Sequence, residues 1–391
     1  MAITVTGGPA YGASWNKTGG GATLTRLASA AGLTAGTSFN AIAPWTMRRC
    51  NLWDDGTATA YYGDRCYTDA DVTNMGQAMV SIPKFYYYME YDAGTTTYYW
   101  FVTTNATTTI DVGLGVGAQA VKLHPTFTRD SVTKNQIYLG AYEAYYNTTT
   151  TMLESKASVA PTASKTVTQF TTAARLRAGA VNNKWELQDY LTTSAVQLLY
   201  LIEYASFSSQ HVLGGGLTNS GAVTNTGGTT AYGNVSYGTP DAYTTAMSYR
   251  GIENFWGNLY TAVGGISIKG NGAGDDYNVW IADHDFIVDT FAHPYSDTLL
   301  NVGNTAGYVE DITTSTTYDY GFIPSTVGGA LGTYLCDYFY CATGNRVAYF
   351  GGYYTAGGGT PGTRAGGFAW NVDGASGTSG VILGTRLMYM G

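Results

Sequence analysis

Charged residues are scarce in this chain of 391 residues. Lys, Arg, Asp and Glu together make up 12% of the sequence, and the formal net charge is −8 at pH 7. A protein that binds nucleic acid needs a basic stripe, and docking on an anionic membrane surface needs clustered Lys and Arg. The sequence therefore predicts neither kind of partner.

Cysteine, histidine and long apolar runs are also sparse. The chain has 4 Cys and 4 His, and no C-x-x-C pair. This is too little for a disulfide scaffold or a structural zinc site, so we expect no metal and no cofactor. No apolar run reaches the roughly 18 residues of a membrane-spanning helix. The first residues lack the basic and apolar regions of a signal peptide, so we expect synthesis in the cytoplasm.

Glycine and tyrosine are abundant, with 52 Gly and 34 Tyr, and 45% of residues are hydrophobic. Short runs rich in aromatic and β-branched residues, separated by Gly-rich turns, are typical of strands. Helical spacing of apolar residues predicts two helices, at 166–177 and 194–210. Ser194-x-x-Gln197 fits a capping box at the start of the second helix, whose apolar surface predicts burial. We predict an α+β fold of many short antiparallel strands plus two helices.

The C-terminal region, residues 332–391, has the composition of a binding surface. Its short apolar runs are separated by Gly, Ser and Thr turns crowded with tyrosine, as in antibody paratopes, where rigid rings are combined with small polar residues. Aromatic residues in irregular loops are more often contact residues than core residues. The candidate ligand-binding residues are Asp337, Tyr338, Tyr340, Cys341, Tyr353, Tyr354, Thr355, Arg364, Phe368, Trp370 and Asn371.

Two short motifs have a chemical interpretation besides a plain structural one. Asp283-His284-Asp285 could place two carboxylates on one strand face and bind calcium, but such a short match favours a polar turn. Cys336 and Cys341 could form a reactive thiol pair, or could be one buried cysteine and one incidental cysteine. The sequence shows no G-x-S-x-G motif, P-loop or evident catalytic carboxylate pair.

Several segments resemble a known family. They are 194–210 (beginning Ser-Ala-Val-Gln-Leu-Leu-Tyr), 249–260 (Tyr-Arg-Gly-Ile-Glu-Asn-Phe-Trp-Gly-Asn-Leu-Tyr), Gly344-Asn345-Arg346-Val347, Gly351-Gly352 and 383–387 (Leu-Gly-Thr-Arg-Leu). These segments are similar to the variable proteins of phages that have a C-type lectin fold, which are tail-fibre receptor-binding proteins. Residues 24–26, 45–50 and 79–86 resemble tail-associated members. The same C-terminal and central segments also resemble the formylglycine-generating enzyme superfamily, whose fold is a variant of the C-type lectin fold.

The resemblance implies both an architecture and a function. It implies an N-terminal attachment arm at 1–44, contacting other virion tail proteins, and a C-type-lectin-like ligand-binding domain at 45–391. The protein would be made in the host cytoplasm, reside in the virion tail, form a homotrimer and recognise a bacterial surface protein or glycan without being an enzyme. In relatives diversified by retroelements, a Gly, Arg and Leu skeleton stays fixed while displayed positions of the last strands vary.

Two alternatives remain open from the sequence. Formylglycine-generating enzymes bind copper through two cysteines, and Cys336 and Cys341 lie where such a pair could be; thiolates suit Cu(I). A shared fold does not carry chemistry with it, however. The other alternative is a structural tail protein whose tyrosines contact other virion subunits.

Overall fold

A computed structural model describes residues 3–178, 184–270, 277–355 and 362–391. These residues form mostly β-sheet with few helices. Within these ranges, no helix combines the length and the apolar character needed to cross a membrane. The expectation of many short, mainly antiparallel strands with two substantial helices is confirmed.

The first part of the chain is rich in short strands. In chain order its elements are β1 (Thr4–Thr6), β2 (Tyr11–Asn16), β3 (Thr25–Ala28), β4 (Arg48–Leu52), β5 (Ala58–Tyr61), α1 (Val72–Met75), β6 (Gln77–Pro83), β7 (Tyr86–Asp92), β8 (Thr97–Thr103), β9 (Thr109–Asp111), β10 (Gln119–Ala120), β11 (Lys122–Leu123), β12 (Thr128–Arg129), β13 (Val132–Thr133), β14 (Gln136–Glu143), β15 (Tyr145–Tyr146), β16 (Leu153–Glu154) and α2 (Val167–Arg175).

The second part contains the longest helix and the C-terminal strands. Its elements are β17 (Trp185–Leu187), α3 (Tyr190–Tyr204), α4 (Ser209–Val212), β18 (Ser248–Tyr249), β19 (Ile252–Glu253), β20 (Tyr260–Gly270), β21 (Tyr277–Ile281), β22 (Ser296–Val302), β23 (Gly307–Thr313), β24 (Ile323–Val327), β25 (Tyr338–Cys341), β26 (Arg346–Phe350), β27 (Trp370–Val372), β28 (Leu383–Gly384) and β29 (Arg386–Tyr389).

Three sheets make up most of the fold. One has the strand order β11-β7-β8-β2-β3, and a second has the order β17-β29-β14-β6-β4-β5. The third has the order β22-β21-β20-β26-β27-β25-β23-β24, with β28 added beside β20. The pairs β25–β27 and β20–β28 are parallel. Side chains of all three sheets contribute to the main hydrophobic core, which also contains the apolar residues of α3.

Helix α3 lies in the interior of the protein, and every residue from Tyr190 to Glu203 is buried. Its burial was predicted, but its ends were placed wrongly. The N-cap is Asp189, whose carboxylate accepts a hydrogen bond from Thr192 N at 2.8 Å. Ser194 is inside the helix and its hydroxyl donates to Leu191 O. Ala205, with φ of 50°, ends the helix in the left-handed conformation, before the glycines that the sequence suggested.

Helix α2, and not α3, begins with a capping box. Thr166 Oγ1 accepts from Gln169 N at 3.2 Å, and Gln169 Oε1 accepts from Thr166 N at 2.9 Å. At its other end, Arg175 Nε donates to the buried carboxylate of Glu186 in β17 at 2.7 Å. Despite this ion pair, burial raises the pKa of Glu186 to about 8.

Residues of the N-terminal segment 1–44, predicted as an attachment arm, pair with strands from the rest of the fold. Strand β2 pairs with β8 on one side and β3 on the other. Ala13 and Trp15 are buried in the main core, and Trp15 Nε1 donates to Gly21 O at 2.7 Å. The apolar residues of this Gly-rich segment complete a sheet, so they are covered rather than extended into solvent. Attachment of this segment to other virion proteins stays a prediction.

The buried guanidinium group of Arg386 links β14 to the end of the β18–β19 pair. Its backbone lies in β29, and its side chain donates to Gly140 O at 2.9 Å, Glu253 O at 2.6 Å and Asn254 O at 2.9 Å. Burial lowers its pKa to about 10, with Glu143 opposing this shift, so the group is charged at neutral pH.

Replacing Arg386 by Leu is expected to destabilise the protein by about 3–5 kcal/mol, because three buried carbonyl groups and Glu143 lose their cationic partner. Urea unfolding of the purified variant measures the change. Arg65→Leu is the matched control, since Arg65 is exposed, and it should shift the free energy of unfolding by less than about 0.5 kcal/mol. Equal effects of the two substitutions would contradict the proposed role of Arg386.

The raised pKa of Glu186 predicts a pH dependence of stability. Between its ordinary value near 4.5 and the folded value of about 8, the folded state holds a proton that the unfolded state releases. The free energy of unfolding therefore falls as pH rises through that window, since the folded state must give up this proton. The difference between wild type and Glu186→Gln, measured by urea unfolding from pH 5 to 8, should shrink or reverse in favour of the variant as pH rises. A difference independent of pH would exclude this assignment.

Candidate functional site

The exposed side of β25 carries a compact aromatic cluster. Tyr338 and Tyr340 alternate with Phe339, which is fully buried, so the two tyrosines lie on the outer face of the strand. Their ring centroids are 4.6 Å apart. Tyr308 pairs directly with Tyr338 across β23 and β25, and their rings meet edge to face at 5.2 Å. All three rings remain partly accessible to solvent.

Arg364 completes this cluster. Its Cζ lies 4.6 Å from the centroid of the Tyr338 ring, and its Nη1 donates to Tyr340 Oη at 3.3 Å. Tyr308 Oη is within 3.2 Å of Thr363 Oγ1. We call Tyr308, Tyr338, Tyr340 and Arg364 the tyrosine surface. A stacked guanidinium group holds the rings in place and still has donors for a ligand.

Three further candidates are half-buried. Tyr353 packs against the buried ring of Tyr260 at a centroid distance of 5.2 Å. The backbone N–H of Tyr354 donates a hydrogen bond to Asn258 O at 2.9 Å, which fixes the position of this residue. Thr355 follows them and is also partly accessible. Tyr353 therefore combines a structural contact with an accessible edge, and replacing it affects packing as well as any ligand.

Four of the predicted site residues are buried, and the expectation that they are displayed is wrong. Asp337 accepts a hydrogen bond from Phe368 N at 2.7 Å, and burial raises its pKa well above the usual range. Phe368 packs edge to face on Phe207 at 4.9 Å, and Trp370 lies 5.2 Å from Phe350. The fourth residue is Asn371, whose Oδ1 accepts from Asp373 N.

The position of β27 explains why these residues are covered. This strand lies between β26 and β25, and each of Trp370, Asn371 and Val372 is buried. A central strand covered on both faces shows no alternation of buried and exposed residues. The sequence therefore offered no periodic signal that separated these residues from displayed ones.

The two C-terminal cysteines do not fit a copper site well. Cys336 is buried and its pKa is raised to about 12 by that burial, while burial also raises the pKa of the half-buried Cys341. Both are free thiols. Copper(I) binds thiolates, whereas burial, together with the carboxylates of Asp337 and Asp373, favours the protonated form of these two groups.

The Asp283-His284-Asp285 motif is partly occupied by internal contacts. His284 Nδ1 lies 2.5 Å from Asp283 Oδ1, and Nε2 lies 3.7 Å from Asp130 Oδ1. Across the ranges that the structure describes, His, Cys, Asp and Glu form no group of three or more suited to a metal ion. These contacts favour the polar-turn interpretation.

Sequence reasoning missed Tyr308 as a member of the site. It lies 30 residues before Tyr338 in the chain, and only the pairing of β23 with β25 brings the two together. Its own segment, Gly307-Tyr308-Val309, has the pattern of an ordinary half-buried strand.

Comparisons with known proteins give distant structural similarity only. No family model matches the sequence, and no curated protein matches it. Among solved structures, the chain is similar to the Major Tropism Determinant U1 variant with 13% identity and a TM-score of 0.30, covering 99% of this chain and 82% of that chain. The P3c variant gives the same identity and coverage with a TM-score of 0.29. Overlap at this level carries no argument about function.

The burial pattern predicts which aromatic residues support the fold. Phe368→Ala should cost about 3–5 kcal/mol, because it empties a fully buried site between aromatic rings. Tyr338→Ala, on the outer face of β25, should cost less than about 1 kcal/mol. Thermal and urea unfolding of both variants test this difference. A large loss of stability in Tyr338→Ala would place that ring in the core.

Proposed function

We propose that this protein is a phage tail receptor-binding protein that recognises a bacterial surface protein or glycan through the tyrosine surface. One observation carries the proposal: Tyr338 and Tyr340, stabilised by Arg364, stand on the outer face of a strand whose inner face is core. The resemblance of the sequence to variable proteins of phage tails supports it. The proposal includes a C-type-lectin-like fold and a location in the virion tail.

The physical basis is aromatic contact by rings that are already ordered. Tyrosine loses little side-chain entropy on binding, and its ring and hydroxyl offer both apolar contact and hydrogen bonding. Tyr and Arg are enriched among residues that dominate binding energy. Because Arg364 already contacts Tyr338 and Tyr340, a ligand would meet a largely preformed surface, and less ordering free energy would oppose binding.

The surrounding skeleton suits a surface whose exposed residues vary. Gly351 and Gly352 have φ values of 90° and 86°, and a Cβ on Gly352 would lie 2.3 Å from that of Ala365. Such positions accept only glycine, whereas Tyr338 and Tyr340 could be replaced without filling or emptying the core. The proposal therefore includes retroelement-type diversification, limited to exposed positions.

The proposal describes a binding protein and not an enzyme. The raised pKa values of Cys336 and Cys341 oppose the thiolate pair that copper-dependent oxidation needs. A homotrimer would present several tyrosine surfaces to one cell, and effective concentration would then raise a modest single-site affinity.

The test is binding of fluorescently labelled protein to a panel of bacterial strains. On a strain that wild type binds, Tyr338→Ala combined with Tyr340→Ala should weaken binding by about 30-fold or more, as expected for loss of dominant contact residues. The matched control is Tyr232→Ala, since Tyr232 is exposed and stacks on Tyr237, away from the tyrosine surface. Undiminished binding by the folded double variant would show that the tyrosine surface is not the receptor site.

A further inference from the structure

A polar groove lies at the end of α3, apart from the exposed faces of Tyr338 and Tyr340. It has a volume of approximately 570 Å³ and is bordered by the β2–β3 connection, α4 and the segments around 241–243 and 331–332. Ligand pockets of small molecules generally have volumes of about 300–1,000 Å³. The groove is therefore large enough for one or two sugar rings.

The walls of the groove combine aromatic rings with hydrogen-bonding groups. Tyr204 and Tyr243 line it and are each partly accessible. Asp241 is exposed and its Oδ2 lies 2.8 Å from His211 Nδ1. Ser208 adds a partly accessible hydroxyl group. Rings suit the apolar CH face of a sugar, and a carboxylate accepts bonds from its hydroxyl groups.

Gln210 adds a buried amide to the wall of the groove. This residue lines the groove and is only 5% exposed. Its Nε2 donates to Ala365 O, whereas its Oε1 is enclosed and has no hydrogen-bond partner among the described residues. A buried acceptor without a donor costs about 1–3 kcal/mol, and such groups are rare in folded proteins.

We propose that this groove binds a neutral saccharide. Neither Lys nor Arg occurs among its described lining residues, His211 is already paired with Asp241, and the chain has a net charge of −8, so the groove favours a neutral sugar over an anionic one. The carboxylate of Asp241 accepts hydrogen bonds from sugar hydroxyl groups, and the rings of Tyr204 and Tyr243 cover the apolar face of the sugar. The inference does not depend on the function proposed for the tyrosine surface.

The segment 362–365 separates the two surfaces. Arg364 contacts Tyr338 and Tyr340 on one side. On the other, the backbone of Gly362 lies against the ring of Tyr243, so close that a Cβ there would be 2.2 Å from its Cδ1. Ala365 O receives the bond from Gln210. The groove can thus be altered without changing the residues of the tyrosine surface.

The experiment uses the full chain on a glycan array that contains neutral and anionic oligosaccharides, followed by calorimetric titration with the best-bound neutral glycan. Asp241→Asn should weaken binding by about tenfold, because it removes a charged acceptor; Asp241 has φ of 56°, a conformation that Asn tolerates.

A pair of glycine substitutions supplies the matched control. A Cβ on Gly21, which lines the groove, or on Gly19, which does not, would meet no atom within 4 Å. Gly21→Trp should abolish glycan binding by filling the groove, whereas Gly19→Trp should leave it unchanged.

Each outcome decides the inference. Binding of neutral glycans that is lost in Gly21→Trp and weakened in Asp241→Asn supports it. Absence of binding to any neutral glycan, preference for anionic glycans, or binding that survives Gly21→Trp would overturn it. Loss of cell binding in the Tyr338 and Tyr340 double variant, together with no binding of neutral glycans by wild type, would uphold the proposed function alone. Binding of neutral glycans that Gly21→Trp abolishes, together with undiminished cell binding by the double variant, would uphold the groove alone.

Discussion

The C-terminal strands fix the relation between two of the sheets, and the buried guanidinium of Arg386 holds β29 against β14 and the β18–β19 pair. Strand β28 pairs with β20 of one sheet, and β29 follows directly and pairs with β14 and β17 of another. Arg386, at the start of β29, donates to the carbonyl group of Gly140 in β14 and to those of Glu253 and Asn254 at the end of the β18–β19 pair. A charged group with this many fixed partners tolerates few alternative arrangements, because each would leave a buried polar group without a partner. The position of β20 relative to the core, and with it β26, β27 and β25, depends on this connection.

The tyrosine surface is a consequence of that arrangement. Strand β25 is held by β27 on one side and β23 on the other, and Phe339 anchors it to the core. With the backbone fixed in this way, the outer side chains are free to serve another purpose. Within three consecutive residues, Phe339 positions the strand, whereas Tyr338 and Tyr340 face outward and could contact a ligand.

Local sequence patterns predicted much of the fold. The predictions that were wrong, on the cap of α3 and on the exposure of β27, have physical causes. The apolar character of α3 predicted its burial, but Ser194-x-x-Gln197 fitted a capping box although Asp189 is the cap, since short polar patterns also occur inside buried helices. On β25, alternation would have separated Phe339 from its neighbours. On β27 alternation fails because the strand is covered on both faces, so Trp370 and Asn371 could not be distinguished from displayed residues. Tyr308, Gln210 and Asp241 reach their sites only through tertiary structure, which no local pattern reports.

The segment 362–365 lies between the tyrosine surface and the groove and contacts residues of both. Its backbone is tied to the interior by the bond from Gln210 to Ala365 and by the close contact of Gly362 with Tyr243. The side chain of Arg364 extends toward Tyr338 and Tyr340, and Thr363 Oγ1 lies 3.2 Å from Tyr308 Oη. Exchange of exposed side chains on β25 would change one surface and leave the polar walls of the groove intact. If both proposals hold, the aromatic contacts of the tyrosine surface could vary while the proposed saccharide groove stays constant.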